Sequence, residues 1–425
     1  MTTPHVVIIN DDCVASGGAA GIALTSARVL QARGVRVSYL AGDARSGSLP
    51  QPESVLSLSG RHIMEGARGA AALRGLYDHN TRRSLEQWIA ENDSPQAIYH
   101  LHNWHKVLSP SVFAALKPVQ DRLFISTHDY FLVCPNGGQF NYPRHHACDL
   151  KPMSSECVFT QCDRRNYIHK LWRVARTAMQ NRVLEPAQME ATILAVHDGM
   201  VPYLVGGGIP RHRIHVLRNP ITPWSRERVT AERNKEILFV GRLERDKGID
   251  LLAAAARDAG AILTVVGDGP LRKELALQYP DVNFLGFRPP HEIATIARNA
   301  RILVSPSRWR ETFGLTTLEA LTSGIPVVVS RFALIAGEVA EHGFGRTCNP
   351  YDEDELATTL KTLLHDSETV AAMSRRAFMA AAHLATTPEQ WGNELLALYT
   401  GRLATRRDRT PRHPFPSEPR RMAPC

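Results

Sequence analysis

The sequence predicts an α/β protein in which two doubly wound domains face a central cleft. Short apolar segments alternate with segments of helical periodicity along the whole chain, and this alternation is typical of parallel sheets covered by helices on both faces. A chain of 425 residues is long enough for two separate hydrophobic cores. The alternation restarts at Glu236 after a polar segment that contains two prolines, which indicates a domain boundary.

We therefore divide the chain into five parts. Residues 1–218 are expected to form a first Rossmann-like domain, and residues 219–235 a linker. Residues 236–385 are expected to form a second Rossmann-like domain. Residues 386–404 predict a last helix that packs back toward the first domain, because Pro388 suits a first helical turn. Residues 405–425 predict a disordered basic tail.

The strands of both sheets are expected where apolar residues run together for four to six positions. The ten predicted strands are 5–9, 35–40, 96–101, 122–127, 192–196, 236–241, 261–266, 282–285, 301–305 and 325–329.

Charge and composition exclude several classes of function. The net charge is +8, but residues 402–425 hold seven arginines against two acidic residues, so the rest of the chain is close to neutral. No zinc-finger spacing or RNA-binding aromatic motif is present, and we expect no nucleic-acid partner. The sequence contains no apolar run long enough to cross a membrane and no signal peptide, so we expect a cytoplasmic protein, with peripheral contact to the inner face of the membrane left open.

Four of the seven cysteines fall within one short part of the first domain. Cys134, Cys148, Cys157 and Cys162 have irregular spacings without a C-x2-C pair, so a structural zinc site and ordinary buried thiols both stay open.

Two glutamates around a glycine turn are the most informative feature of the second domain. Glu311 follows the strand at 301–305, and Glu319 lies about one turn inside the helix that begins near Leu315. The backbone N–H groups of Phe313, Gly314 and Leu315 come between them at the helix N-terminus, where unpaired N–H groups and the helix dipole favour an anion. Carboxylates beside an anion site suit a ligand with hydroxyls and phosphates. The alternative is that helix N-termini favour glutamate for dipole reasons alone.

A second anion site is expected after the strand at 236–241. Gly241 allows close approach to the backbone, and Arg242 and Lys247 precede a helix that begins near Ile249. A forked and a pointlike cation beside a helix N-terminus suit a diphosphate. Because Glu244 lies among these cations, a solvated charged loop is the alternative.

Three further positions follow predicted strands and so point toward the cleft. Gly17 and Gly18 come after the first strand, where their spacing differs from a dinucleotide-binding loop and favours a flexible loop that lines the cleft. His128 ends the strand at 122–127 and could contact a sugar hydroxyl or handle a proton. Asp268 in Val266-Gly-Asp-Gly-Pro270 could support a nucleoside or only form a turn.

Taken together, these motifs resemble glycosyltransferase family 4, a retaining family with the GT-B fold of two Rossmann-like domains. Cys134-Pro135 and the cysteines after it resemble a bacterial subset that assembles envelope polysaccharides. The matching segments are Gly241-Arg-Leu, Lys247-Gly248, Val266-Gly-Asp-Gly-Pro270, Leu285-Gly-Phe287, Ser305-Pro-Ser307, Glu311-Thr-Phe-Gly-Leu, Glu319-Ala, Gly17-Gly18, His100-Leu-His-Asn103 and His128-Asp129.

The resemblance implies a hexosyltransferase that uses a UDP- or GDP-sugar and needs no metal or other cofactor. Arg242 and Lys247 would neutralise the diphosphate leaving group, Glu311 would bind the hydroxyls of the donor sugar, and Glu319 would hold the ribose. His128 would contact the donor sugar near the reacting carbon.

The resemblance also implies that the loop with Gly17 and Gly18 approaches the phosphates. The backbone amides of Phe313, Gly314 and Leu315 would approach them as well. The domain 1–218 would bind the acceptor, a glycan or a lipid-linked sugar, and the domain 236–385 would bind the nucleotide sugar. Two other classes stay open on the same fold, a nucleotide-sugar epimerase and a non-catalytic protein that binds nucleotide sugars.

The segment 164–179 predicts an amphipathic helix that could lie on an anionic membrane. The alternative is that the apolar stripe packs on the core and the charged face is solvated. The stripe is Ile168, Leu171, Trp172, Ala175 and Met179, and the flanking basic residues are Arg164, Arg165, Lys170, Arg173 and Arg176.

Overall fold

The computed structural model describes residues 3–14, 17–43, 55–58, 60–63 and 65–409. Two parallel sheets with helices on their faces form its two domains. Among these residues no helix combines the length and the apolar composition that crossing a membrane requires.

The first domain contains a seven-stranded parallel sheet and a small antiparallel hairpin. The strands are β1 (His5–Asn10), β2 (Arg36–Ala41), β3 (Val55–Ser57), β4 (Ala97–Leu101), β5 (Leu123–Thr127), the hairpin strands β6 (Phe140–Asn141) and β7 (His146–Ala147), β8 (Thr192–Ala195) and β9 (Ile214–Val216). The helices are α1 (Gly18–Gln31), α2 (Arg68–Leu76), α3 (His79–Asn92), α4 (Ser111–Leu116), α5 (Ser155–Phe159), α6 (Tyr167–Leu184) and α7 (Val201–Gly206).

The second domain contains a six-stranded parallel sheet. Its strands are β10 (Glu236–Val240), β11 (Ile262–Val266), β12 (Asn283–Gly286), β13 (Ala300–Ser305), β14 (Val327–Ser330) and β15 (Gly345–Cys348). The helices that follow are α8 (Ile249–Asp258), α9 (Arg272–Gln278), α10 (Pro290–Ala297), α11 (Leu315–Thr322), α12 (Ala336–Glu341), α13 (Glu353–His365), α14 (Ser367–Ala380) and α15 (Pro388–Arg409).

Both sheets reverse their strand order next to their first strand. The first sheet has the order β3-β2-β1-β4-β5-β8-β9, and the second has the order β12-β11-β10-β13-β14-β15. Ligands of open α/β sheets bind at such reversals, outside the carboxyl ends of the strands. The ends of β1 and β4, and those of β10 and β13, are therefore the places where a cleft ligand is expected.

Every one of the ten predicted strands is present, with ends that differ by at most two residues. The prediction missed β3, β9 and β15, all of which lie at sheet edges, and also the hairpin strands β6 and β7. Edge strands are short and half-solvated, so they lack the apolar run that reveals a buried strand. Strand β15, for example, reads Gly-Arg-Thr-Cys.

The segment 219–235, which was predicted as a linker, connects β9 to β10 and packs against the protein. Ile221, Trp224, Val229 and Ala231 are all buried there. The absence of periodicity indicated a loop correctly, but it said nothing about burial.

The last helix, α15, lies against the first domain. Arg33, which follows α1, donates a 2.8 Å hydrogen bond to the Asn393 side chain, and the Tyr399 hydroxyl lies 2.6 Å from Nδ1 of His100. Because α15 continues to Arg409, the boundary expected at residue 405 is too early. Residues 410–425 of the predicted tail lie outside the described residues.

The two domains are in direct contact. The segment from Phe140 to Arg165, called the hairpin region here, contributes aromatic and charged side chains to this interface. Phe140 packs edge-to-face on Phe332 at 5.6 Å between ring centroids. The Arg164 guanidinium lies 2.6 Å from the Asp246 carboxylate. The cleft is thus closed on one side by side chains of both domains.

Candidate active site

The floor of the site is built by three loops, those after β10, β11 and β13, whose backbones touch. A Cβ on Gly248, which has φ of +72°, would lie 2.1 Å from the carbonyl oxygen of Pro306. A Cβ on Gly267, with φ of +135°, would lie 1.9 Å from the carbonyl oxygen of Gly241. Only glycine fits at these two positions. The loops after β10, β11 and β13 are thereby held together, whereas a side chain at Gly241 itself would meet only ordinary contacts.

Lys247 and Glu311 form an ion pair at the centre of this floor. Lys247 Nζ lies 2.6 Å from Glu311 Oε1, and the Ser307 hydroxyl donates to Oε2 at 2.6 Å. Burial raises the pKa of Glu311, but the Lys247 charge and both hydrogen bonds outweigh it and lower the pKa below its usual value. Glu311 is therefore an ionised carboxylate with both oxygens engaged.

Two other side chains surround Lys247. Its Nζ lies 5.4 Å from the centroid of the Trp309 ring, within the range of a cation–π contact. Arg242 does not reach Glu311, because it pairs with Glu244 at 2.9 Å and its side chain is 59% exposed. Of the two predicted cations, Lys247 is therefore fixed in the site and Arg242 borders it.

The N-terminus of α11 supplies the expected backbone donors. No described residue accepts a hydrogen bond from the N–H groups of Phe313, Gly314 or Leu315. The Phe313 side chain is buried in the core, so its backbone is anchored. These three amides and the helix dipole make a site for an anion next to Glu311.

The first domain brings a second helix N-terminus to the same place. A Cβ on Gly18, the first residue of α1, would lie 3.1 Å from Cδ1 of Leu315. Gly17 precedes it as the cap residue, and a side chain there would meet nothing within 4 Å. The first turns of α1 and α11 thus approach each other across the cleft.

Glu319 lies one turn into α11, half-buried beneath the loop. Burial raises its pKa to about 8, and a hydrogen bond from the Trp224 side chain opposes this rise. The carboxyl is therefore mostly protonated at neutral pH.

His128 reaches the cleft from the end of β5. Its Nε2 lies 3.0 Å from Nδ1 of His102, and the two rings are stacked with centroids 5.3 Å apart. Burial lowers the pKa of His128 to about 4, so the imidazole is neutral at physiological pH. A neutral ring can accept or donate a hydrogen bond but does not offer a fixed positive charge to a phosphate.

Asp268 behaves as a turn residue. Its carboxylate accepts from the Gly269 backbone N–H at 2.7 Å and pairs with Arg272 at 3.0 Å. Because both carboxylate oxygens of Asp268 bond to residues just after it in the chain, a role in forming the turn explains this position without a ligand.

The cysteine region contains no arrangement typical of a metal centre. Within the described residues, no group of three or more His, Cys, Asp or Glu side chains is placed to hold a metal ion. Lys170 lies between two of the sulfur atoms instead.

A cavity of about 820 Å³ lies between the hairpin region and the second domain. It is lined by residues of both domains, among them Tyr142, Arg165 and Tyr351. Arg245 and Asp246, which directly precede Lys247, form part of its wall. A ligand here would touch the outer side of the Lys247 turn.

Five residues that make contacts in the site were not predicted from the sequence as functional positions. Ser307 and Trp309 lie within or beside matched segments, so their place near Glu311 gave a usable signal. Thr312 and His102 also lie within matched segments, but their contacts, like that of Trp224, are with partners distant in sequence. These contacts are found only when the packing of the chain is known.

Residues 221–379 match the family model described as glycosyl transferases group 1. This range begins within the packed connecting segment and covers nearly the whole second domain, including Lys247, Glu311 and Glu319.

Curated relatives match over parts of their length. The chain is 34% identical over 139 residues to a sulfoquinovosyl transferase of Arabidopsis thaliana, which is 31% of this chain and 27% of that protein. It is 30% identical over 259 residues to glycogen synthase of Mycobacterium tuberculosis, which is 57% of this chain and 60% of that protein. The chain therefore spans less than two thirds of each of these relatives.

Solved structures are similar over nearly the whole chain. Sucrose-phosphate synthase from Thermosynechococcus elongatus has a TM-score of 0.70 at 16% identity and covers 94% of this chain and 100% of its own. HepE of Anabaena, solved with UDP and glucose, has a TM-score of 0.64 at 19% identity, with 93% and 99% covered. WaaG, described as a glycosyltransferase involved in lipopolysaccharide biosynthesis, has a TM-score of 0.64 at 16% identity, with 93% and 100% covered. The predicted GT-B fold is confirmed.

Proposed function

We propose that this chain, whose fold is GT-B and whose second domain matches glycosyl transferases group 1, is a retaining hexosyltransferase of family 4. In this proposal it transfers a sugar from a UDP- or GDP-sugar, without a metal ion, to a glycan or lipid-linked acceptor. Assembly of bacterial envelope polysaccharide is the proposed setting.

One observation carries the proposal, namely that two helix N-termini and an ion-paired lysine converge at one point of the cleft. The amides at the start of α11, the first turn of α1 near Gly18 and the Lys247 ammonium all favour negative charge. Such an arrangement suits the diphosphate of a nucleotide sugar, whose charge grows as the glycosidic bond breaks. Lys247 and these dipoles supply the cationic stabilisation that the proposal assigns to the protein itself.

The state of Glu311 supports a binding role and argues against a nucleophile. Lys247 engages one carboxylate oxygen and Ser307 the other, so attack on a sugar carbon would compete with both contacts. A glycosidase nucleophile needs an available oxygen. We therefore propose a front-face reaction in which the departing phosphate oxygen takes the acceptor proton and the new bond forms on the same face of the sugar.

The remaining site residues orient the donor in this proposal. The neutral His128 ring contacts a sugar hydroxyl, Glu319 binds the ribose, and Arg242 swings from Glu244 toward the phosphates. An epimerase would need an acid and a base on the sugar ring. The engaged Glu311 and the neutral His128 are less suited to that chemistry, so a transferase is preferred to the epimerase and to a non-catalytic binder.

Membrane contact is supported by the outward face of α6. Ile168 is 78% exposed, and Phe159 at the end of the neighbouring α5 is 77% exposed. The basic residues contribute less than expected, because Lys170 and Arg176 are buried while Arg164 and Arg173 pair with aspartates. Arg165 adds an exposed cation beside the apolar face. We propose that this face rests on an anionic membrane mainly through its apolar residues, which brings a lipid-linked acceptor near the cleft.

The direct test is to incubate the protein with UDP-, GDP- and ADP-sugars and to record both melting temperature and donor consumption. We expect the sugars of one nucleotide to raise the melting temperature and to be hydrolysed slowly. Proton NMR should show that the sugar released first has the same anomeric configuration as the donor. Inversion at the anomeric carbon would refute the retaining mechanism. Failure of every nucleotide sugar to bind would refute the proposed function.

A further inference from the structure

A fully buried lysine lies in the cysteine-containing region of the first domain, away from the proposed site. Lys170 of α6 has 0% exposure, and no described carboxylate pairs with it. An unpaired ammonium in a protein interior is strongly unfavourable. The environment of this side chain must therefore provide another acceptor.

The acceptors are sulfur atoms. Lys170 Nζ lies 3.2 Å from Cys162 Sγ and 3.5 Å from Cys157 Sγ. The Asn136 side-chain amide also donates to Cys162 Sγ at 3.2 Å. Both sulfur atoms therefore lie within 3.5 Å of one nitrogen. The two donors on Cys162 Sγ would stabilise the charge of a thiolate there.

We propose that Cys157 and Cys162 are a redox-active thiol pair that Lys170 activates, and that small-molecule disulfides oxidise them to a Cys157–Cys162 disulfide. Burial alone lowers the pKa of Lys170, but the sulfurs outweigh this and raise it, so the ammonium keeps its proton. Burial raises the pKa of the Cys162 thiol above its usual value, and Lys170 is the main group that limits this rise. The Lys170 ammonium thus stabilises the thiolate that forms when Cys162 loses its proton.

The reaction is an ordinary thiol–disulfide exchange. The Cys162 thiolate attacks one sulfur of a disulfide RSSR, forms a mixed disulfide and releases one RS⁻. Cys157 then loses its proton and displaces the second RS⁻, so the protein loses two electrons and two hydrogens while RSSR becomes two thiols. No metal is required for either step.

The position of the pair connects it to the contact between the domains. Cys162 is followed by Asp163, which pairs with Arg173, and by Arg164, which pairs with Asp246 beside Lys247. A disulfide changes the two sulfur atoms that face the Lys170 ammonium and fixes the segment between Cys157 and Cys162, two residues before Arg164. The oxidation state of the pair is therefore expected to influence the turn that carries Lys247.

The test treats the full chain with oxidised glutathione at pH 8 and maps the products by mass spectrometry. We expect a Cys157–Cys162 disulfide that dithiothreitol reverses, and we expect Lys170→Met to slow its formation. Each unit by which the substitution raises the pKa of Cys162 reduces the thiolate population about tenfold, but it also makes the remaining thiolate more nucleophilic. The rate of disulfide formation should therefore fall at least about threefold for each unit of pKa. Cys348→Ser is the matched control, because Cys348 is buried in β15, far along the chain from Lys170, and its loss should leave the rate unchanged.

A Cys157→Ser variant keeps the test independent of whether Lys170→Met folds. In that variant Cys162 should stop at the mixed disulfide and carry one glutathione per chain. The proposal is overturned if Cys162 is unmodified in this variant, or if other cysteines of the wild-type chain form the disulfide. It is also overturned if folded Lys170→Met reacts at the wild-type rate, or if the purified chain holds one zinc ion whose removal is needed for any oxidation.

Discussion

The Thr312 hydroxyl of the second domain donates a 2.6 Å hydrogen bond to the backbone carbonyl oxygen of His128 in the first domain. Thr312 directly follows Glu311, and His128 directly follows strand β5. One hydrogen bond therefore fixes the relative position of a candidate residue from each domain. This contact makes the closed arrangement of the domains part of the site.

Replacement of Thr312 by valine should weaken catalysis through this contact. The substitution keeps the shape of the side chain and leaves the buried carbonyl without its donor, at a cost of about 1–2 kcal/mol. We expect kcat/KM for the donor to fall roughly five- to thirtyfold. Thr400→Val is the control, since the Thr400 hydroxyl bonds to carbonyl groups of its own helix α15 and should not change turnover. Equal kinetics of Thr312→Val and wild type would show that the contact has no part in the reaction.

The Lys247–Glu311 pair allows structural and catalytic effects to be separated. Lys247→Met and Glu311→Gln should each reduce turnover about a hundredfold, because each removes an interaction of about 3 kcal/mol with the transition state. Either single variant also leaves a partly buried charge without its partner, which should lower the melting temperature. The double variant should recover the melting temperature but not the activity.

Lys117→Met is the matched control for this pair. Lys117 forms an ion pair of similar length, 2.8 Å, with Glu185, but both side chains are exposed on the first domain. An exposed pair contributes about 0–1 kcal/mol, so little should change. A double variant of Lys247 and Glu311 with wild-type turnover would contradict the assignment of the site.

How far the sequence predicted this structure can be judged from particular residues. The buried strands were found because a short continuous apolar run between turn residues is typical of a strand covered on both faces, as in β10 with Ile237 and Phe239 in the core. The glycine loops were also found, although Gly267 proved more constrained than Gly241. Local patterns thus predicted the framework of the second domain.

Contacts between distant parts of the chain were beyond local patterns. Nothing near Thr312 indicates that its hydroxyl meets His128, which is 184 positions away. Likewise the segment around Trp224 has the composition of a linker, yet the Trp224 side chain lies near enough to Glu319 to lower the pKa of that carboxyl. Such contacts depend on how completed domains pack, and a single sequence carries no periodic signal for them.

Membrane association should depend on the exposed apolar residues of α5 and α6. Phe159→Ser with Ile168→Ser should reduce flotation with vesicles that contain anionic lipid, because each substitution removes an apolar side chain that would otherwise leave water. Leu277→Ser is the control, since Leu277 is 85% exposed on α9 of the second domain. As most basic residues of α6 are buried or paired, raised salt should weaken binding only modestly. If wild type fails to float with anionic vesicles, the membrane proposal is wrong.

Because of Glu319, the free energy of unfolding should decrease with rising pH in a range where most other carboxyl groups are already ionised. Its pKa is raised to about 8 in the folded chain by burial, against an ordinary value of 4.5 in the unfolded chain. Folding therefore takes up a proton between these two values, and this contribution to stability is complete below pH 4.5 and lost as the pH approaches 8. Glu319→Gln is neutral throughout, so its melting temperature should gain on that of wild type steadily between about pH 5 and 8.

The same variant tests the role of Glu319 with ligand. If the ribose hydroxyls donate to the ionised carboxylate, nucleotide binding releases the proton that Glu319 holds, and wild-type affinity should rise with pH up to about 8. Calorimetry in two buffers of different ionisation enthalpy would measure that proton release. Glu319→Gln should bind more weakly and release no proton. A melting temperature difference that stays constant with pH, together with equal proton release in both proteins, would show that Glu319 is neither buried as described nor in contact with the nucleotide.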